Sequence, residues 1–246
     1  MADHPAHRSD REQNGRRKKA RVSPPADVLP ENRPVRQCLE RGIVQILPQA
    51  GADLVERHLR YIELLQRWNR TFNLTAIRAP LDMVVRHVLD SLTVHPYVRG
   101  DRVLDVGSGA GLPGIPLALA SPEHSVVLLD SNGKKIRFLR QVVFELALTN
   151  VTVVQARAER FRPALPFDTV IARAFADLPA LLRIAWPLLA PAGRVLAMKG
   201  REPGAELRRL AGDEVAWRCH RLKVPNLAAE RCLIVLEPPA TANWSV

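Results

Sequence analysis

The chain has 246 residues, 47% of them hydrophobic, which allows one large domain or a domain with a small extension. Its formal net charge is +11; residues 1–36 hold nine Lys/Arg and five Asp/Glu and supply +4 of it, so the remaining +7 lies beyond them and points to a polyanionic partner, nucleic acid first. No apolar run approaches membrane-spanning length and no signal-like segment follows Met1, which predicts a cytoplasmic protein with no membrane partner, while Cys38, Cys219 and Cys232, odd in number and widely spaced, exclude a disulfide framework and a zinc site.

Residues 1–34 are polar and proline-rich, lack apolar periodicity and read as a disordered tail. Its basic knot, Arg16-Arg17-Lys18-Lys19-x-Arg21, suits phosphates without reading sequence; the alternative is a solvated, dispensable tail. Residues 35–95 read as a helical extension, a cap or small subdomain. The spacing predicts helices over Val35–Leu47, Ala52–Asn69 and Pro80–Val94, with a polar loop over Asn69–Arg78. In the second, Val55, Leu59, Ile62 and Leu65 hold one face and Glu56, Arg57, Arg60 and Arg67 the other. In the third, His87, Asp90 and Ser91 share a polar side, either at the mouth of a cleft or as a hydrogen-bonded helix face. No nucleophile elbow accompanies them, so they do not make a hydrolase.

Residues 96–238 alternate. Strands are predicted over Val103–Val106, Ser125–Asp130, Val151–Gln155, Asp168–Ala172, Arg194–Lys199, Val215–Leu222 and Cys232–Glu237. Helices fill Gly114–Ala120, Lys134–Ala147, Leu178–Leu189 and Ala205–Ala211. That alternation implies a Rossmann-like α/β fold, a mostly parallel seven-stranded sheet with helices on both faces. The last two strands lack a long helix between them and are expected to form a hairpin that puts one antiparallel strand in the sheet. Residues 239–246 are a C-terminal tail.

The first strand runs into Gly107, Gly109, Gly111 and Gly114, a glycine-rich turn that opens a helix. Gly109-x-Gly111-x-x-Gly114 matches the dinucleotide spacing, so a nicotinamide or flavin cofactor is one reading. Asp105 favours another. An acid at the end of this strand repels a pyrophosphate but suits S-adenosylmethionine, which carries an ammonium and a sulfonium. Asp130 closes the second strand, where an acid accepts hydrogen bonds from ribose hydroxyls of either cofactor. Ligands in such sheets lie beyond the carboxyl ends of the strands. The third end offers Ala158 and Glu159 to an adenine ring, the fourth Arg173-Ala174-Phe175, the fifth Lys199-Gly200.

The fourth end bears on the reaction. It lacks the Asn/Asp-Pro-Pro-aromatic run of many enzymes that methylate exocyclic amines, and no nucleophilic cysteine of the kind pyrimidine C5 chemistry needs stands nearby. Arg173 has a planar fork suited to a carboxylate, a phosphate or a guanine edge; the alternative is a salt-bridging arginine. Guanine N7 presents a lone pair and loses no proton, so a site with no general base fits N7 chemistry, with catalysis by alignment.

Asn73–Arg78 (N-L-T-A-I-R), His87–Leu92 (H-V-L-D-S-L), D-V-G-S-G-A-G-L-P-G-I-P-L from Asp105, Leu129–Arg140 (L-D-S-x-x-K-K-I-R-F-L-R), Arg173–Ala176 (R-A-F-A) and Met198–Gly200 (M-K-G) together resemble the RsmG family, also called glucose-inhibited division protein B, over about Leu54–Glu237. The resemblance implies a class I methyltransferase fold and S-adenosylmethionine-dependent methylation of N7 of one guanine in 16S ribosomal RNA. It also implies donor contacts at Gly107, Leu112, Ala158, Glu159 and Arg173; Leu112 stands where the family often has an aromatic residue. The expected site is then Asp105, Gly107, Gly109 and Gly111 at the methionine end of the donor, Leu112 packing on the donor, Asp130 at its ribose, Ala158 and Glu159 near adenine, and Arg173 as the catalytic residue, orienting donor or target. No metal is expected, and the partner is 16S rRNA, naked or in the assembling small subunit, met by a monomer. Arg70, Arg78, Lys134, Lys135 and Arg201 are candidates for phosphate contact. The alternatives are a nicotinamide-dependent oxidoreductase, for which a second catalytic domain and a proton relay are missing, and a non-catalytic RNA-binding module.

Overall fold

The computed structural model describes residues 1, 33–210 and 215–238; the predicted tails lie almost wholly outside these residues. The first helix, α1 (Arg33–Ile46), takes in two residues assigned to the tail from the sequence. α2 (Ala52–Phe72) runs three residues past the predicted end and stops at Asn73, whose φ of +49° is the left-handed conformation that asparagine tolerates better than most residues. The third predicted helix is not uniform. α3 (Pro80–Met83) passes into a π-helical stretch, Val84–Leu89, and finishes as one α turn, α4 (Asp90–Leu92). Val84, Val88, Leu89 and Leu92 are fully buried along it.

Seven strands follow: β1 (Arg102–Val106), β2 (Ser125–Asp130), β3 (Val151–Gln155), β4 (Phe167–Arg173), β5 (Leu189–Lys199), β6 (Ala216–Arg221) and β7 (Cys232–Glu237). Their order in the sheet is β3-β2-β1-β4-β5-β7-β6. The pairs among β1–β5 are parallel, and β7 lies antiparallel to both β5 and β6, as the expected hairpin requires. Between the strands run α5 (Gly114–Ala120), α6 (Gly133–Glu145), α7 (Leu178–Ala185) and α8 (Gly204–Leu210). α7 ends four residues before the predicted boundary, and Trp186–Leu188 tightens to a 3₁₀ turn around Pro187, which lacks the N–H to continue an α-helix. β5 starts at Leu189, five residues earlier than predicted, and its pairing with β4 slips between Phe167 and Thr169.

The sheet separates two apolar cores. On one face Leu178, Leu181 and Leu182 of α7 and Leu207 of α8 pack against Val170, Val195 and Ile234. On the other, Ile115 of α5 and Phe138 of α6 share a single cluster with Leu39, Ile43, Leu59, Tyr61, Leu65, Val88 and Leu92. The N-terminal helices thus share one apolar cluster with α5 and α6 on this face of the sheet. They reach the carboxyl edge of the sheet, where the predicted site residues gather.

Candidate functional site

The turn after β1 is built on backbone conformations that favour glycine: φ is +71° at Gly107, +61° at Gly109 and +88° at Gly111. Its polar groups are accounted for. Gly107 and Ser108 donate their N–H groups to the Leu129 carbonyl (2.8 and 3.1 Å), and Gly109 donates to Asp130 Oδ2 (2.9 Å). From α2, the Tyr61 hydroxyl, fully buried, donates to the Ala110 carbonyl at 2.7 Å. At the start of α5, Gly114 donates to Asp105 Oδ2 (2.9 Å); a Cβ on Gly114 would lie 2.6 Å from that oxygen and 2.3 Å from Leu128 Cδ2.

A cavity of about 110 Å³ opens beyond β1, β2 and β3. Of the predicted residues, Gly107, Asp130, Ala158 and Glu159 line it, together with Phe175. Asp130 takes N–H groups from Gly109 and Asn132 (2.8 Å, on Oδ1), with Lys135 Nζ at 3.6 Å. A carboxylate has about four acceptor positions, so capacity for ribose hydroxyls remains. Lys135 is therefore turned toward an acid of the site, although the sequence suggested phosphate contact. Phe175 covers Gly107, its Cδ2 standing 2.9 Å from where a Cβ would be. The same ring is a shared wall with a groove of about 890 Å³ that also runs past Ala158 and Glu159. The cavity alone is smaller than the roughly 300 Å³ at which ligand pockets begin. The missing Cβ of Gly107 and the acid beside it nevertheless fit a nucleoside with a cationic arm.

Asp105, Gly109, Gly111 and Leu112 do not line the cavity. Asp105, expected at the donor's methionine end, is fully buried and accepts from the Gly114 N–H. Burial pushes its carboxyl up to about 7, against the pull of the Gly114 N–H, and its Oδ1 has no hydrogen-bond partner among the described residues. Asp105 is a brace under the turn. Gly109 and Gly111 shape the turn, and Leu112 is buried in the core shared with α1 and α2.

Arg173 points the other way from Phe175, toward the π-helical segment. Its Nη2 donates to the Arg86 carbonyl (3.0 Å) and lies 3.3 Å from His87 Nδ1; its Nη1 is 3.4 Å from Asp90 Oδ2, too poorly aligned for a hydrogen bond. Arg231 Nε donates to the other oxygen of Asp90 at 3.1 Å. Burial raises the Asp90 carboxyl and the two guanidiniums pull it back down. His87, with Nε2 2.9 Å from Thr75 Oγ1, is held to about 4 by burial and by Arg173, so it is neutral at pH 7. These residues bound a second cavity of about 290 Å³, with Met198, Lys199 and Gly200 from the end of β5. Sequence reasoning missed Tyr61 and Arg231. Tyr61 is a hydroxyl-bearing ring among Leu59, Ile62 and Leu65 on the buried face of α2, which is a usable signal; Arg231 sits in a polar loop and carries none.

Strand order, the antiparallel β7 and the glycine turn into α5 define a class I methyltransferase fold. Glycopeptide N-methyltransferase MtfA, solved with S-adenosylmethionine, superposes with a TM-score of 0.54 at 12% identity, covering 62% of this chain and 87% of that one. The O-methyltransferase TomG of Streptomyces achromogenes, also solved with S-adenosylmethionine, gives 0.52 at 18%, covering 72% and 89%. At these identities the likeness concerns the fold. Sequence comparison goes further. Residues 55–234 match the family GidB, rRNA small subunit methyltransferase G. Proteins called ribosomal RNA small subunit methyltransferase G are 54% identical over 200 residues in Methylococcus capsulatus (81% of this chain, 97% of the relative) and 49% over 212 residues in Alkalilimnicola ehrlichii (85% and 95%). The chain belongs to the rRNA small subunit methyltransferase G family.

Proposed function

We propose that this chain transfers the methyl group of S-adenosylmethionine to N7 of one guanine in 16S ribosomal RNA. The observation that carries the reading is the family match over residues 55–234, which spans the glycine turn and the carboxyl ends of β1–β5. When bound, S-adenosylmethionine supplies an electrophilic methyl group on a positively charged sulfur. Gly107 leaves room for it, Asp130 accepts from its ribose hydroxyls, and Ala158 and Glu159 stand beside its adenine. Arg173, fixed by the Arg86 carbonyl and Asp90, orients the target. No residue has to remove a proton, because N7 attacks with a free lone pair. The two titratable groups beside Arg173 fit that description: His87 is neutral and Asp90 is occupied by two arginines. Alignment of the two partners is the main catalytic term.

We read the protein as a cytoplasmic monomer acting on 16S rRNA, naked or in the assembling subunit. Among the described residues no helix is long and apolar enough to cross a membrane. The test is incorporation of tritiated methyl from S-adenosylmethionine into rRNA from a strain lacking the endogenous enzyme, followed by nucleoside analysis. Label in 7-methylguanosine of 16S rRNA is expected. Label in another nucleoside, or thermal stabilisation by a nicotinamide cofactor and none by S-adenosylmethionine, overturns the reading.

A further inference from the structure

The cavity of about 290 Å³ beyond β4 and β5 is separate from the one that Gly107 lines. Three stretches converge on it from distant parts of the chain: Asp90 from the start of α4, Arg173 and Ala174 from the end of β4, and Met198 to Gly200 from the end of β5. The loop before β7 adds Arg231. The volume lies at the bottom of the range for small-ligand pockets, about 300–1,000 Å³, and suits one base better than a whole cofactor. The two cavities meet at a single stretch of chain, Arg173-Ala174-Phe175, whose Ala174 has a φ of +49°. This sharp bend sends Phe175 over Gly107 and leaves Arg173 facing the second cavity.

The donor groups of the second cavity are unevenly occupied. Asp90 is almost fully buried and neutralised by two guanidiniums, so it fixes the arginines and offers little itself. Arg173 Nη1 keeps N–H capacity that no hydrogen bond uses. Arg231 commits Nε to Asp90 and Nη1 to the Glu230 carbonyl, and its Nη2 meets nothing among the described residues. Lys199 is already paired with Glu206 at 2.9 Å. Arg173 Nη1 is buried against Asp90, so the donor that the cavity presents is Arg231 Nη2.

We infer that this cavity receives the target guanine, flipped out of its strand, and that Arg231 donates to its O6 while Arg173 forms the wall beside it. The inference rests on the methyl-transfer reading above and assigns that reaction its acceptor site. Guanine O6 is an acceptor next to N7, whereas adenine carries an N–H₂ donor at the same place, so a donor here selects guanine while leaving the N7 lone pair free. In the transfer the N7 lone pair forms the new bond to the methyl carbon, the sulfur keeps the pair of the bond that breaks, and no proton leaves. Positive charge passes to the guanine ring beside the arginines, which favours release of the product. Asp90 acts as a positioning residue for both guanidiniums.

The test uses a 16S rRNA fragment whose target guanosine is kept or replaced by inosine, which retains O6 and N7, or by 2-aminopurine, which lacks O6. With the wild-type enzyme, 2-aminopurine is expected to be methylated at least about tenfold more slowly than inosine. Arg231→Gln is expected to lower kcat/KM on guanosine about tenfold or more and to narrow that ratio. Its affinity for S-adenosylhomocysteine, measured by calorimetry, should stay within about twofold, and Arg231→Lys should not restore the rate because the planar fork is gone. Equal rates on 2-aminopurine and guanosine, or an Arg231→Gln enzyme with wild-type rate and selectivity, overturn the acceptor site and leave the methyl-transfer reading standing. A wild-type enzyme that methylates the guanosine substrate neither as a naked fragment nor within a reconstituted small subunit overturns both.

Discussion

Replacing Asp105 by asparagine separates the charge of the buried brace from its shape. The carboxyl is fully buried, and burial pushes it up to about 7 from 3.8. A group whose folded value is raised binds protons more tightly in the native state, so the native state is favoured below pH 3.8 and that advantage is lost as pH rises through 7. Above pH 7 the full cost is about 4 kcal/mol, and about 2–3 kcal/mol of it develops between pH 5 and pH 8. Asparagine keeps an oxygen for the Gly114 N–H, but sets an N–H₂ where Oδ1 has no hydrogen-bond partner. That costs about 1–3 kcal/mol at every pH. The stability of Asp105→Asn relative to wild type is therefore expected to rise by about 2–3 kcal/mol from pH 5 to pH 8. Urea unfolding of both proteins across this range measures the difference, in which the other titrating groups cancel. Parallel stability curves, or a difference that moves the other way, would refute the burial argument.

Tyr61→Phe removes one oxygen and leaves the Ala110 carbonyl without its partner; a loss of about 1–3 kcal/mol is expected, read as a fall in Tm of about 2–4 °C per kcal/mol. Gly107→Ala places a Cβ 2.9 Å from Phe175 Cδ2 at a φ of +71°, so calorimetry should find donor affinity down by about tenfold or more with the circular dichroism of the fold retained. His58 and His87 are both held to about 4, chiefly by burial, so each stabilises the fold above pH 6.5 and loses that contribution as pH falls toward 4. His87→Gln should accordingly flatten the acid limb of the stability profile, by up to about 3 kcal/mol.

The parallel sheet was legible because each strand is a short β-branched run and each connection a helix, and the antiparallel β7 because β6 and β7 lack a helix between them. That Gly107, Asp130, Ala158 and Glu159 line one cavity was legible for a related reason: in this topology the carboxyl ends of successive strands must share one edge. The burial of Asp105 was not, because sequence position puts it at a strand end without saying which way it faces. In the structure the tight start of α5 draws it under the turn. The clamp of Arg173, Asp90 and Arg231 was legible in part. The polar side that 3.6-residue spacing gives His87 and Asp90 does face Arg173, whereas Arg231 approaches Asp90 from 141 positions further along the chain and carries no local signal.

The N-terminal helices hold both halves of the site: Tyr61 secures the turn beside the donor cavity, and Asp90 secures the two arginines of the acceptor cavity. If they form one cooperative unit with the sheet, damage in α1, which touches neither cavity, must reach both. Leu39 is fully buried within the cluster that also contains Val88, Leu92 and Ile115. Leu39→Ala is expected to cost about 2–5 kcal/mol, with the protein still unfolding in a single transition. An independent extension would behave differently, giving two calorimetric transitions with only the lower one moved by the substitution. Because α2 and the π-helical segment pack in the same cluster as α1, the single transition should also coincide with loss of donor binding, followed by the fluorescence of Trp68 at the edge of that cluster.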